Sequence, residues 1–324
     1  MTQTEWTTRQ GYSACLITLA VLLLTLMPLS LLKADTVKQA LIVLSADKPP
    51  YHQVANIISN FGPSVAIETV LEQSVSSSSG ANLHNADLII AIGSSATDIV
   101  LNLAPKRKSI LSTFLPRSSY EQLYQQHHNR IVKQQLSLSA IFLDQPYSRQ
   151  MTLAKIINPK AEQLGVILGP DSSKDFYHLH QEARKQQLNL YSDTLNAEDN
   201  PVQRLKPIMD KSDIFLALPD QTIFNRTTAK WLLYMSLQKR VPLIAFSRNY
   251  VRSGALAAVI STPENIGQHT VELLSQFQKN GRLPAPDYCR YFTVAINRKI
   301  AQQMQLTIPD DSTIRQLLQK ASER

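Results

Sequence analysis

The chain has 324 residues, 44% hydrophobic and 18% charged, with a formal net charge of +8 and two cysteines. That length is too great for one small core and suits two lobes, and the apolar content excludes a disordered chain. The basic residues are scattered, with Lys106-Arg107-Lys108 the densest cluster, so the charge describes a solvated face and no nucleic-acid partner is expected.

At the N-terminus, Ala14 to Leu32 is apolar apart from Thr18, Thr25, Pro28 and Ser30, and Lys33-Ala34-Asp35 ends the run. This pattern predicts an export signal over residues 1–34, cleaved after Ala34. The run is nearly long enough to span a bilayer, so an uncleaved membrane anchor is the alternative. Either way the folded part is expected to be periplasmic or otherwise extracytoplasmic. Cys15 lies at the start of the apolar run and is not placed as a lipid-attachment cysteine. Cleavage would leave Cys289 alone, which excludes an intramolecular disulfide. With Tyr288 and Tyr291 beside it, Cys289 reads as a packed residue.

From Gln39 onward, short β-branched runs alternate with amphipathic stretches. The first five strand candidates are Ala40–Ser45, Ser64–Leu71, Asp87–Ile92, Ser109–Phe114 and Ser139–Leu143. The next five are Leu164–Leu168, Leu188–Leu195, Asp213–Leu218, Pro242–Ser247 and Leu256–Ser261. Several are continuously apolar, as strands covered on both faces of a parallel sheet must be. Helices are predicted between them, among others over Tyr147–Ile157, Asp175–Gln187 and Arg226–Lys239. This alternation predicts an α/β fold, and more than ten strands predict two doubly wound, Rossmann-like lobes. "IFLDQPYS" (Ile141–Ser148) reads as a crossing between them.

In open parallel sheets, ligands bind beyond the carboxyl ends of the strands, where helix N-termini offer free N–H groups. "AIGSSATDIV" (Ala91–Val100) ends a strand at Gly93 and opens a helix with Ser94 and Ser95, which suit an anion or simply cap the helix. "LGPDSSKDF" (Leu168–Phe176) has the same form, with Asp171 and Ser172 as contacts or caps. In "FLALPDQTIFNRTTAKWLL" (Phe215–Leu233), Asn225 or Thr227 can cap the helix beginning near Arg226. Asp220 is therefore released from that task and reads as a carboxylate facing a cleft. Ser247 follows another buried strand and completes the candidate set. There is no G-x-G-x-x-G, no G-x-x-x-x-G-K-[ST] and no G-x-S-x-G. His178 and His180 would lie about 200° apart on a helix, so they cannot share a metal. No enzyme activity, cofactor or metal is expected.

"LDQPYSRQMTLAKIINPKAEQLGVILGPDSS" (Leu143–Ser173) and "RVPLIAFSRNYVRSGALAAVISTPENIGQHTVELL" (Arg240–Leu274) resemble the ABC-transporter substrate-binding proteins of the tryptophan/tyrosine-binding type. "YFTVAINRKIAQQMQLTIP" (Tyr291–Pro309) looks like that family's closing strand and terminal L-T-I-P. The resemblance implies a periplasmic-binding-protein type I fold, with two lobes joined by a three-strand hinge. By that pattern the N-terminal lobe holds 35–144 and 254–281, and the C-terminal lobe 145–253 and 282–324. It also implies a polar ligand-side residue in the loop of Asp220. Two positions depart from the family pattern. Gly169-Pro170-Asp171-Ser172 stands where many relatives have N-P-S-E, and Phe246-Ser247-Arg248-Asn249 replaces an acidic turn that would receive an ammonium. Arg248 and Arg252 would instead favour an anion, or are plain surface arginines.

The expected function is capture of a small polar or aromatic ligand between the lobes for an ABC permease. The alternative is a periplasmic ligand sensor that signals through a membrane protein.

Overall fold

The computed structural model describes residues 38–60, 65–77, 81–220, 223 and 225–322. The N-terminal apolar segment, Cys15 and the expected cleavage position lie outside the described residues. Among the described residues, no helix is long and apolar enough to cross a membrane.

All ten expected strands form. The first five are β1 (Gln39–Leu44), β2 (Ala66–Leu71), β3 (Leu88–Ile92), β4 (Ser109–Leu115) and β5 (Ser137–Phe142). The second five are β6 (Gln163–Leu168), β7 (Asn189–Thr194), β8 (Ile214–Leu216), β9 (Leu243–Ala245) and β10 (Ala257–Ile260). Two short strands follow, β11 (Asp287–Tyr288) and β12 (Thr293–Ile296). They make two six-stranded sheets of order β11-β5-β4-β3-β1-β2 and β12-β10-β9-β8-β6-β7. All pairings are parallel except β10 with β12.

Composition decides position within each sheet. The continuously apolar β3, β8, β9 and β10 are wholly buried, whereas "AIETVL" (β2) and "NLYSDT" (β7) carry polar residues and form exposed edges. Polar side chains along an edge also discourage pairing with another chain. Helices cover both faces, giving two large apolar clusters per sheet and a smaller one at Leu115, Tyr120, Ala140 and Phe142 in the first. Each sheet also fastens the start of its first strand in the same way. The Asp87 carboxylate, just before β3, accepts the N–H groups of Lys38 and Gln39 at 2.8 and 3.1 Å. Asp213, just before β8, does the same for Glu162 and Gln163 at 2.8 and 2.9 Å.

The chain passes between the sheets after β5, after β10 and after β11. The first passage follows β5, and the expected division at 254 and 282 does not hold for the neighbouring strands. β10 stays in the second sheet, and the helix Pro263–Asn280 that follows packs on the helix Pro49–Ser59 of the first. β11 pairs with β5 in the first sheet before β12 returns to the second. Gly254 (φ +126°) and Gly281 (φ +65°) mark sharp turns at helix ends rather than passages between lobes.

Candidate functional site

The strand orders place a reversal of winding between β1 and β3 in one sheet and between β6 and β8 in the other. In doubly wound sheets such a reversal opens a crevice at the carboxyl ends of the strands. Ser94 and Ser95 follow β3 at the first of these points, and Asp171, Ser172 and Asp220 follow β6 and β8 at the second, whereas Ser247 follows β9.

In the first lobe, Gly93 ends β3 with φ +99°. A Cβ there would fall 2.5 Å from Ser45 Oγ and 2.8 Å from a Tyr51 ring carbon, so only glycine fits. Ser45, following β1, receives the Ala96 N–H on its hydroxyl at 2.8 Å and so ties the two strand ends together. Ser94 is half-buried and Ser95 exposed in the first turn of the helix Ser94–Leu103. Beside them, the rings of Tyr51 and Phe114 meet edge to face at 5.3 Å. Phe114 has φ +58°, where the register of β4 against β5 shifts between Thr113 and Leu115. A bulky residue in left-handed backbone is a strained conformation of the kind that collects at ligand sites.

In the second lobe, Asp220 follows β8 and is 3% exposed. Its Oδ2 accepts the backbone N–H of Ser172 at 2.9 Å, that of Asp171 at 3.1 Å and the Ser172 hydroxyl at 2.9 Å. Ser172 Oγ accepts the Gly169 N–H in turn. Gly169 is also forced, because an added Cβ would lie 2.5 Å from the Asp220 carboxylate. Asp220 is thus a brace between the loops after β6 and β8. It does not cap the following helix, whose first N–H groups are received by Asn225. Asp171 is exposed on the same loop. Ser247 caps the short helix Arg248–Arg252 through the Tyr250 N–H, and both of those arginines point to solvent.

Sequence reasoning missed the contact that joins the lobes. Arg117 opens the helix after β4, and Asp175 lies in the turn after β6. Arg117 Nη2 donates to Asp175 Oδ1 at 2.7 Å, and the Tyr147 hydroxyl donates to Asp175 Oδ2 at 2.7 Å. Arg117 N also donates to Asp144 Oδ1 at 2.7 Å. Burial, with the Asp175 charge adding, holds the Tyr147 phenol well above its usual range. Burial also pushes the Asp144 carboxyl up to about 6, against the Arg117 N–H and charge that lower it. Arg117 and Asp175 had no local sequence signal, since their pairing depends on how two separate sheets face each other.

A family model described as ABC transporter substrate binding protein matches residues 142–322. The chain belongs to the ABC transporter substrate-binding protein family. This is a family of transport proteins rather than a class of enzymes. A search of curated proteins found no match. Among solved structures, the substrate-binding protein resembles a ligand-free, open substrate binding protein with adhesive properties from Clostridium difficile. The TM-score is 0.67 at 18% identity, covering 85% of this chain and 97% of that one. A conserved domain protein from Vibrio cholerae gives 0.54 at 18% identity, covering 86% and 98%. An ABC domain in complex with L-Trp from Streptococcus pneumoniae gives 0.53 at 17% identity, again covering 86% and 98%. These likenesses bear out the two-lobed periplasmic-binding-protein fold, and the family model bears out the family resemblance read from the sequence.

Proposed function

We propose that this substrate-binding protein is exported and captures a small polar or aromatic ligand between its lobes, then presents it to an ABC permease. The observation that carries the reading is the matched pair of winding reversals, each bridged by a hydrogen bond between loops, Ser45 to Ala96 and Asp220 to Ser172. Two braced loop pairs offer rigid walls, and the lobes meet through Arg117 and Asp175. In this reading Ser94 and Ser95 contact the ligand from the first lobe. Asp171 and Ser247 contact it from the second, where Asp220 and Ser172 shape the wall. Tyr51 and Phe114 add an aromatic surface. Residues 1–34 act as the export signal or anchor.

A melting screen of the chain from Asp35 onward against amino acids, nucleosides, sugars and carboxylates tests this. A ligand at a hundred times its Kd stabilises the folded state by about 2.7 kcal/mol. The expected result is one chemical class that raises Tm, with the rise reduced in Ser94→Ala and no turnover of the ligand. A screen with no shift in any class would overturn the reading.

A further inference from the structure

The helix Arg226–Lys239 presents a second apolar side to solvent. At about 100° per residue, Arg226, Leu237, Lys230, Tyr234 and Trp231 fall in that order around less than half of the helix, and all five are exposed. The opposite side carries Leu232 and Met235 into the apolar cluster beneath. Trp231, Tyr234 and Leu237 are 42%, 55% and 38% exposed, and the Trp231 and Tyr234 rings meet edge to face at 6.0 Å. Single exposed apolar residues are ordinary, whereas two aromatic rings and a leucine on one helix face make a patch.

The charge around this patch has one sign. Residues 226–240 hold Arg226, Lys230, Lys239 and Arg240 and no Asp or Glu. Among the described residues, neither Arg226 nor Lys230 forms an ion pair. On the adjoining helix Pro201–Lys211, Asp210 is already held by Lys206 and Lys239. The short helix Arg248–Arg252 reaches the same apolar cluster through Val251 and adds two exposed arginines without an acid.

Trp and Tyr, with apolar rings and a polar tip, suit the boundary between lipid headgroups and acyl chains. Lys and Arg beside them can pair with anionic headgroups while their stems lie along apolar surface. A protein partner fits this composition less well, because lysine is depleted from the core of protein interfaces. The N-terminal apolar run, read as an export signal or an anchor, also brings the chain to a membrane.

We infer that this helix face docks on an anionic lipid surface. Trp231, Tyr234 and Leu237 enter the headgroup layer, and Arg226 and Lys230 pair with headgroup phosphates. The contact needs no ligand, and it holds the second lobe against the membrane.

Trp6 and Trp231 are the two tryptophans of the chain, so the full chain carrying Trp6→Phe reports from Trp231 alone. It is mixed with phosphatidylcholine vesicles, with and without phosphatidylglycerol at three parts in ten. Trp231 emission and its quenching by lipids brominated on the acyl chain are then measured. An inserted N-terminus holds the protein at either kind of vesicle, so the comparison reads contact at Trp231 rather than attachment.

Expected are a blue shift and quenching with the anionic vesicles and neither with the neutral ones. Both should be lost at about 1 M salt, where screening acts within about 3 Å. Arg226→Gln with Lys230→Gln should remove most of the quenching. Lys106→Gln with Arg107→Gln takes the same charge from an exposed turn of the first lobe and should leave the quenching intact. Absence of a blue shift with anionic vesicles overturns the inference, as does equal quenching in neutral vesicles or equal loss from the two pairs of charge variants. Attachment to vesicles without quenching of Trp231 also overturns it, and leaves the face to a protein partner. The vesicle comparison needs no substitution beyond Trp6→Phe, and a ligand screen without a hit leaves the inference standing.

Discussion

At the residue scale, Asp220 and Gly169 show one side chain setting the limits of its neighbour. Gly169→Ala places a methyl group against the Asp220 carboxylate, and overpacking of this kind costs about 1–3 kcal/mol. Asp220→Ala strands at least four donors, three on Oδ2 and the Ile223 N–H on Oδ1, and costs at least as much, whereas Asp220→Asn keeps an acceptor oxygen and should cost less. Urea denaturation of the three variants checks that order, and equal stability of Asp220→Ala and wild type would remove the brace. Two buried titratable groups give a second test. His269 is pushed down to about 4 by burial, with Arg290 adding, so the folded protein keeps it neutral. The unfolded chain takes up that proton as pH falls through about 6.5, so this contribution is present above 6.5 and lost toward 4. Asp144 acts in the opposite sense. Its proton is held up to about 6 when folded but leaves near 4 when unfolded, so its contribution is present below 4 and lost as pH rises through 6. The two slopes oppose each other between pH 4 and 6. Denaturant titrations across that window should show His269→Asn losing stability as pH rises and Asp144→Asn losing it as pH falls.

At the scale of elements, the sequence foretold most of what local chemistry controls. The helices Tyr147–Ile157 and Arg226–Lys239 begin and end where expected. Pro146 precedes the first, and Asn225 caps the second by accepting the Thr227 and Thr228 N–H groups at 3.0 Å each. Asn225→Ala should therefore lower stability by about 1 kcal/mol, measured as a shift in the denaturation midpoint, and leave the Asp220 brace untouched. Elements that depend on distant pairing were not legible. β11 has two residues and exists because β5 offers an edge. Phe114 takes its left-handed conformation because two strands fall out of step. Gly254 and Gly281 announced turns, but a turn does not disclose which sheet the chain enters next. For the same reason Ser94, Ser95 and Asp220 could be found at strand ends by pattern, while Tyr51, Arg117 and Asp175 acquire meaning only once separate segments are brought together.

At the scale of the whole molecule, the lobes are held by three passages of chain and by the Arg117–Asp175 pair, whose side chains are 21% and 13% exposed. Asp175→Asn removes the charge opposite Arg117 and should let the ligand-free lobes separate, which small-angle scattering would record as a larger radius of gyration. An unchanged radius would show that the passages alone set the angle. Closing the cleft need not disturb the sheets themselves, because each sheet clamps the start of its first strand far from the cleft, through Asp87 in one and Asp213 in the other. These clamps have a consequence for amide hydrogen exchange. The N–H groups of Lys38, Gln39, Glu162 and Gln163 sit near the protein surface yet are bonded to carboxylates, so they should exchange slowly and at rates indifferent to ligand. Ligand-induced protection should concentrate in the passages after β5, β10 and β11, separating the parts of the chain that bend from the parts that are only carried along.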